Sequence, residues 1–137
     1  MEIKVNGKWY ELAWFDDFEE IEMIGEIEET KDIPDSLDIE TNWDELQEYL
    51  GLSEYDQQVV MAYYAATNVF NPEEASEAYV GNYTDGAEFA DYMAYELGYI
   101  PKDLPSWIAT HIDWQAVWDA ELSHDYFAQD DHYFRNL

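Results

Sequence analysis

Carboxylates are the side chains of this sequence with the most evident chemistry. The chain carries 33 Asp and Glu residues against five Lys and Arg residues, so its formal net charge at pH 7 is −28. An ionised carboxylate only accepts hydrogen bonds, as a phosphate oxygen does. On successive exposed turns of a helix, carboxylates stand about 5–6 Å apart, close to the spacing of phosphates along a strand. The pattern predicts a surface that receives the Lys and Arg side chains of a DNA-binding protein.

The size of the net charge is comparable to that of duplex DNA. A globular chain of this length has a radius of gyration of roughly 14 Å and is about 37 Å across. Duplex DNA carries roughly 22 phosphates over that distance. A net charge of about 2 to 8 is typical of a small domain, and self-repulsion destabilises a more highly charged one. The excess charge therefore favours a function in which the protein imitates DNA.

We predict a target-binding surface made of eighteen acidic residues, chosen because their positions favour exposure. They are Asp16, Asp17, Glu19, Glu20, Glu22, Glu26 and Glu28 in the N-terminal part, and Asp44, Glu45, Glu48, Glu54, Asp56, Glu73, Glu74, Glu77, Asp85, Glu88 and Asp91 in the rest of the chain. Because many charges share one electrostatic potential, we expect single substitutions to have little effect.

Other kinds of chemistry find little support. The chain has no Cys, which excludes disulfides and Cys-ligated metals. His111, His124 and His132 lack metal-binding spacing, and no nucleophile elbow or phosphate-binding Gly loop is present. We therefore expect no catalytic residue, no cofactor and no metal site, and we do not expect an enzyme.

Two alternative interpretations of the acids stay open. A halophilic protein also replaces Lys by Asp and Glu, although an aromatic content of 18% fits that class less well. Acidic residues within 16–20, or Asp130 and Asp131 with His132, offer oxygen ligands to a hard cation, but exposed turns are the more ordinary interpretation. An acidic structural protein that binds cations is thus a second candidate.

The elements that carry these acids predict an α+β fold with two parts. Residues 1–40 form a β-rich acidic subdomain. There Asn6-Gly7 predicts a hairpin into a second strand over residues 9–15. Residues 16–20 predict an exposed turn, and residues 21–29 a bulged strand with Glu22, Glu26 and Glu28 on one face. Residues 41–137 form the second, helical part, which ends in a short hairpin.

Capping signals divide the helical part into elements. A helix follows Thr41 or Asn42 and ends at Gly51, and Ser53 caps the next one. Asn71-Pro72 begins a third helix. A fourth runs from Thr84 to Leu97 before Gly98, and a fifth from Asp113 to about Leu122. Residues around Pro101 and Pro105 are expected to be irregular, and residues 126–134 to form a hairpin that turns near Asp130-Asp131.

Short motifs along residues 41–137 also match a known family. In chain order they are Trp43-Asp44-Glu45-Leu46, Tyr55 to Tyr64, Pro72-Glu73-Glu74-Ala75, Tyr83-Thr84-Asp85, Phe89-Ala90-Asp91-Tyr92, Glu96-Leu97-Gly98, Leu104-Pro105, Ile112-Asp113-Trp114, Asp125-Tyr126-Phe127 and His132-Tyr133-Phe134-Arg135. Each motif is weak by itself, but their order and spacing resemble the ArdA-type antirestriction proteins of plasmids, conjugative transposons and phages. These proteins are built of three small domains, and the resemblance implies a form shortened at the N-terminus.

The resemblance implies an elongated DNA mimic that competitively occupies the DNA-binding groove of a type I restriction–modification enzyme. An anti-CRISPR protein that blocks the DNA channel of a Cas effector is the alternative within mimicry. The resemblance also implies dimers joined through the C-terminal part, where Trp107, Trp114, Trp118, Tyr126 and Phe127 are candidates for self-association. We expect no binding to nucleic acid or membranes. No signal peptide and no apolar run long enough for a membrane span are evident, so we expect a cytoplasmic protein in the host bacterial cell.

Overall fold

The structure, a computed structural model, describes all residues from 1 to 137 and contains seven helices and two antiparallel sheets of three strands. The helices are α1 (Phe18–Ile24), α2 (Trp43–Leu50), α3 (Glu54–Thr67), α4 (Pro72–Ala78), α5 (Gly86–Glu96), α6 (Ser106–Ala109) and α7 (Trp114–Ala120). The strands are β1 (Glu2–Val5), β2 (Lys8–Glu11), β3 (Ile27–Lys31), β4 (Tyr79–Asn82), β5 (Tyr126–Gln129) and β6 (His132–Arg135). The predicted α+β class is confirmed.

The first sheet has the strand order β2-β1-β3 and begins with the predicted hairpin. Asn6 and Gly7 have φ angles of 51° and 76°, the left-handed values that a tight two-residue turn requires. Val5 pairs with Lys8 across this turn. The second strand is shorter than predicted, because a 3₁₀ turn over Leu12–Trp14 follows β2.

The predicted strand over residues 21–29 is wrong in its first half. Residues Phe18–Ile24 form helix α1, and strand β3 begins only at Ile27. Phe18, Ile21 and Ile24 recur at a spacing of three, which places them on one face of a helix, and Ile21 is fully buried. The pattern of apolar and acidic residues is compatible with the two-residue period of a strand and with the 3.6-residue period of a helix. In the folded chain these residues form a helix that buries the face with Ile21.

The predicted exposed turn over residues 16–20 is also corrected. Most of this segment is the start of α1, because the Asp17 carboxylate accepts a hydrogen bond from the Glu20 N–H at 3.1 Å. Glu19 and Glu20 occupy the first helical turn, where negative charge interacts favourably with the helix dipole. Acidic residues thus begin the helix.

Helices α2 to α5 lie close to their predicted positions, and the predicted caps of α3 and α4 are used, whereas the Asn42 side chain makes no capping hydrogen bond at the start of α2. The Ser53 hydroxyl accepts a hydrogen bond from the Asp56 N–H at 3.2 Å, and the Asn71 side chain accepts one from the Glu74 N–H at 3.1 Å. The cap of α5 is a correction: Asp85 occupies that position, instead of Thr84.

The C-terminal part contains a second sheet with the order β4-β6-β5. Strands β5 and β6 form the predicted hairpin, with Asp130 and Asp131 at positive φ. Strand β4 was not predicted; it pairs with β6, which lies about fifty residues further along the chain. The proline-flanked segment contains the short helix α6, and α7 gives way to a 3₁₀ turn over Leu122–His124.

Two hydrophobic clusters support these elements. The larger one joins Ile3 and Val5 of the first sheet to Leu46 of α2, Tyr63 of α3 and Phe134 of β6. The smaller one contains the buried residues Phe89, Met93 and Tyr133. The first 40 residues therefore share a core with the helical part, while the division into two subdomains stays a prediction.

Candidate functional site

Very few of the carboxylates are paired with a cation. The structure contains two ion pairs, Lys4 with Glu29 at 3.8 Å and Lys31 with Glu2 at 3.7 Å, and both are partly exposed to solvent. Neither contains any of the eighteen predicted acids. Exposed pairs of this kind contribute little to stability. The negative charge of the surface is therefore almost uncompensated.

All eighteen predicted acids reach the surface. Fourteen are exposed, and Glu20, Glu45, Glu74 and Asp91 are half-buried. Their assignment to a target-binding surface stays a prediction, but the fourteen exposed side chains are accessible to an approaching cation.

The acids lie on successive elements instead of on one face of one element. Glu22 lies on α1, Glu26 in the link that follows it and Glu28 on β3, so the single strand face predicted for these three is wrong. Asp16, Asp17, Glu19 and Glu20 lie just before α1 or on its first turn, and the predicted acids from Asp44 onward follow along α2, α3, α4 and α5, with Asp85 as the cap of α5. This arrangement distributes the charge along the chain.

Three predicted acids fix the starts of α1 and α5. Asp17 caps α1, and the Asp85 carboxylate caps α5 by accepting a hydrogen bond from the Glu88 N–H at 2.9 Å. The Glu88 carboxylate accepts a hydrogen bond from the Thr84 N–H at 2.9 Å. These bonds hold the carboxylates in defined positions, so substitution of Asp17 or Asp85 would change a helix end as well as a charge.

Glu74 is held by a tyrosine beneath the surface. The Tyr63 hydroxyl donates a hydrogen bond to the Glu74 carboxylate at 3.0 Å. Burial raises the pKa of Tyr63 to about 12, aided by this bond and by the negative charges of Glu74 and Glu77. The phenol therefore stays neutral and remains a donor at physiological pH.

Two further tyrosines with raised pKa values lie on β4 and just after it. Burial, together with Tyr92 and the charge of Glu88 and Glu96, raises the pKa of Tyr83 to about 12. Burial also raises the pKa of Tyr79, whose hydroxyl is hydrogen-bonded to that of Tyr55. These raised pKa values were not predicted from the sequence, because the burial of a Tyr side chain depends on neighbours from other elements.

The five aromatic residues predicted for self-association fall into two groups. Trp107 on α6 is 71% exposed, and Trp114 is half-buried beside Tyr95. Trp118, Tyr126 and Phe127 pack inward: Trp118 and Tyr126 against Phe89, and Phe127 stacked on Phe134 with ring centroids 5.2 Å apart. Only Trp107 and Trp114 are placed to meet a partner, and the self-association role itself stays a prediction.

Trp114 lines an apolar groove between α5 and α7. The groove has a volume of about 420 Å³, and all ten lining residues are hydrophobic. Leu97 and Tyr99, which also line it, are 53% and 77% exposed. Leu97 was predicted as the last residue of a helix, whereas Tyr99 was not predicted as a surface residue of the groove, although the apolar residues after Gly98 were the available signal.

The residues considered as cation ligands are placed differently from one another. His132 is buried, with its Nδ1 3.1 Å from the Tyr79 hydroxyl oxygen, while Asp130 and Asp131 are exposed in the hairpin turn. No group of three or more His, Asp and Glu side chains is arranged to hold a metal ion. No helix combines the length and apolar character needed for a membrane span.

Comparison with protein families gives one match. A family model described as antirestriction protein (ArdA) matches residues 1–135. The match includes the first 40 residues, which the motif-based resemblance had left outside. Comparisons with curated proteins and with solved structures gave no match.

Proposed function

Because the chain belongs to the ArdA family of antirestriction proteins, we propose that it is a DNA mimic that competitively occupies the DNA-binding groove of a type I restriction–modification enzyme. The observation that carries this proposal is the net charge of −28 on a surface with only two ion pairs. A groove built to hold phosphates presents Lys and Arg side chains, which such a surface attracts. Phosphate contacts carry no sequence information, so a mimic needs no imitation of bases.

The proposed mechanism consists of binding alone. The field of the acidic surface steers the protein toward the basic groove and raises the association rate. Once the carboxylates of α1 to α5 receive the basic side chains, those side chains are no longer available to DNA phosphates. The enzyme is inhibited for as long as the complex lasts, and no catalytic step by the mimic is required.

We also propose that two copies associate through the C-terminal part. Exposed Trp107 and the groove lined by Trp114 supply apolar surface there, and aromatic residues are enriched at interface centres. A dimer would place two acidic surfaces in one particle and so lengthen the segment of duplex that is imitated.

A restriction panel in living bacteria tests the proposed function. Cells that carry a type I, a type II or a CRISPR–Cas system are each challenged with unmodified phage, with and without expression of this protein. We expect plating efficiency to rise in the type I cells. Relief only in the CRISPR–Cas cells would contradict the proposed target and favour the anti-CRISPR alternative. Absence of relief in every strain would contradict mimicry of DNA against these systems.

A further inference from the structure

A cleft between α3 and α4 combines an apolar floor with an acidic rim. It has a volume of about 440 Å³ and also touches the end of α2 and the start of β4. Val59 and Val60 of α3 and Pro72 of α4 line it and are buried, and Leu52 is half-buried beside them. The cleft therefore offers apolar contact to whatever enters it.

Carboxylates surround this floor. Glu48, Asp56, Glu73 and Glu77 line the cleft and are exposed, and none of their side chains takes part in an ion pair. Their carboxylates are also free of hydrogen bonds to other side chains, in contrast with Glu74, which Tyr63 holds. Four acceptors at the mouth of an apolar cleft remain available to a cation.

We propose that this cleft receives one arginine side chain from the basic groove of the inhibited enzyme. The inference rests on the proposed function, because that function supplies the basic groove. An arginine pairs an apolar three-carbon stem with a charged planar head that binds carboxylates through two parallel hydrogen bonds. The stem fits the floor lined by Val59 and Val60, and the head fits the rim.

The cleft gives the mimic an advantage that DNA lacks. A phosphate binds the guanidinium head but leaves the stem in water, whereas the cleft binds the head at its rim and also removes the stem from solvent. Burial of the apolar methylenes of the stem favours binding. Partial burial of the stem is therefore expected to strengthen binding about tenfold relative to the head alone.

Ser76 allows the cleft to be filled without changing the charge. It lines the cleft, is exposed and its hydroxyl makes no hydrogen bond to the protein. Ser76→Phe places a ring in the cleft, and Ala66→Phe, at an exposed position near the end of α3, is the matched control. Thermal unfolding checks that both variants fold.

The experiment is an NMR titration of the ¹⁵N-labelled full chain at low salt with Nα-acetyl-L-arginine amide. Guanidinium chloride supplies the head without the stem, and Nα-acetyl-L-norleucine amide supplies a stem without the charge. We expect saturable shifts at the amides of Val59, Val60 and Ser76 with the arginine probe, about tenfold tighter than with guanidinium. Ser76→Phe should abolish the shifts caused by the arginine probe, and Ala66→Phe should leave these shifts unchanged. Equal binding to Ser76→Phe, or shifts spread evenly over the acidic surface, would overturn the proposal.

A charge variant keeps the test valid if Ser76→Phe does not fold. Glu48→Gln with Glu73→Gln removes two carboxylates from the rim, and Asp103→Asn with Glu121→Gln removes two exposed ones elsewhere. Only the first pair should reduce affinity for the arginine probe severalfold; equal losses in both would overturn the proposal.

Binding to a purified type I enzyme, measured in parallel, separates the two proposals. If the wild-type chain binds the enzyme but the arginine probe does not saturate the cleft, the cleft proposal alone is wrong. If the cleft binds arginine but the chain does not bind the enzyme, the proposed function is wrong.

Discussion

At the scale of single residues, Gly86 shows how closely the C-terminal part is packed. A Cβ at this position would lie 2.4 Å from Cγ and Cδ1 of the Trp118 indole. Trp118 has little freedom to move away, because its ring also contacts Phe89 and Tyr133. Helix α5 can therefore begin against the indole only with a residue that has no side chain.

We predict that Gly86→Ala lowers the free energy of unfolding by about 1–3 kcal/mol, the usual cost of overpacking. Gly51→Ala is the matched control, since a Cβ there would meet only the backbone carbonyl oxygens of Glu48 at 3.6 Å and Gln47 at 3.8 Å, which are ordinary van der Waals contacts. The control should stay within about 0.5 kcal/mol of the wild type in urea unfolding. Equal losses in the two variants would contradict the close contact.

Two tyrosines with raised pKa values, Tyr63 and Tyr83, predict a loss of stability at high pH. The pKa of Tyr63 and of Tyr83 is raised to about 12, while an unfolded tyrosine ionises near 10. The folded state thus binds the phenolic proton more tightly, so this contribution is complete below pH about 10 and is lost as the pH rises through about 12.

Unfolding free energies measured between pH 9 and 12, together with tyrosinate absorbance, check this behaviour. We expect stability to fall over this range and Tyr63→Phe to reduce the fall, because phenylalanine cannot ionise. Tyr99→Phe, at a position 77% exposed, should leave the fall unchanged. A stability that is independent of pH up to 12 would contradict the raised values.

At the scale of elements, local signals predicted much of the fold. Asn6-Gly7 fixed the first hairpin, and Ser53 and Asn71 fixed two helix starts, because each of these residues acts on backbone groups within three positions. Such elements can be predicted from the sequence alone, because the residue and the backbone groups on which it acts are close neighbours along the chain.

Elements that depend on distant partners were missed. Strand β4 exists because β6, about fifty residues later, pairs with it. Most of helix α1 was predicted as a strand, because its apolar residues are compatible with both a strand period and a helix period. Only the folded structure shows that Ile21 is buried on one face of a helix.

In the candidate site, too, features that depend on a single residue were predicted, and features that depend on distant residues were not. Exposure of the acids followed from their chemistry, because an unpaired carboxylate is costly to bury. The cleft between α3 and α4 was invisible in the sequence, since its lining comes from four elements. Three of the five predicted interface aromatics pack inward for the same reason: their partners Phe89 and Phe134 lie on other elements.

The element α6 provides a test of self-association. We predict that Trp107→Ser shifts the chain toward monomers in sedimentation velocity, because it removes an exposed aromatic residue beside the proposed interface. Trp14→Ser, which changes a tryptophan 67% exposed on the N-terminal part, is the matched control and should not alter the distribution. A monomeric wild-type chain, or equal effects of both variants, would contradict the proposed dimer.

At the scale of the whole molecule, the charge acts collectively. Because the proposed binding depends on a shared potential, reversing Glu19, Glu22, Asp44 and Glu54 together should weaken binding to the enzyme about a hundredfold, near 0.7 kcal/mol per charge. None of these side chains caps a helix or lines the cleft between α3 and α4.

Matched controls make this prediction specific. Each single Ala substitution should change affinity by no more than about twofold. Reversal of four exposed acids outside the predicted surface, namely Asp35, Asp103, Glu121 and Asp125, gives the same net charge and should have a smaller effect. Complete loss of binding from one Ala substitution would contradict a distributed surface.

The most direct test of the central claim is competition between this protein and DNA for a purified type I restriction–modification enzyme. We predict that the protein displaces labelled duplex completely and that the apparent Kd for DNA rises in proportion to the protein concentration. Affinity for the protein should fall steeply with salt, by about a thousandfold between about 50 and 200 mM, as it does for ligands that make several phosphate contacts. A ternary complex in which DNA stays bound, or an affinity insensitive to salt, would contradict DNA mimicry.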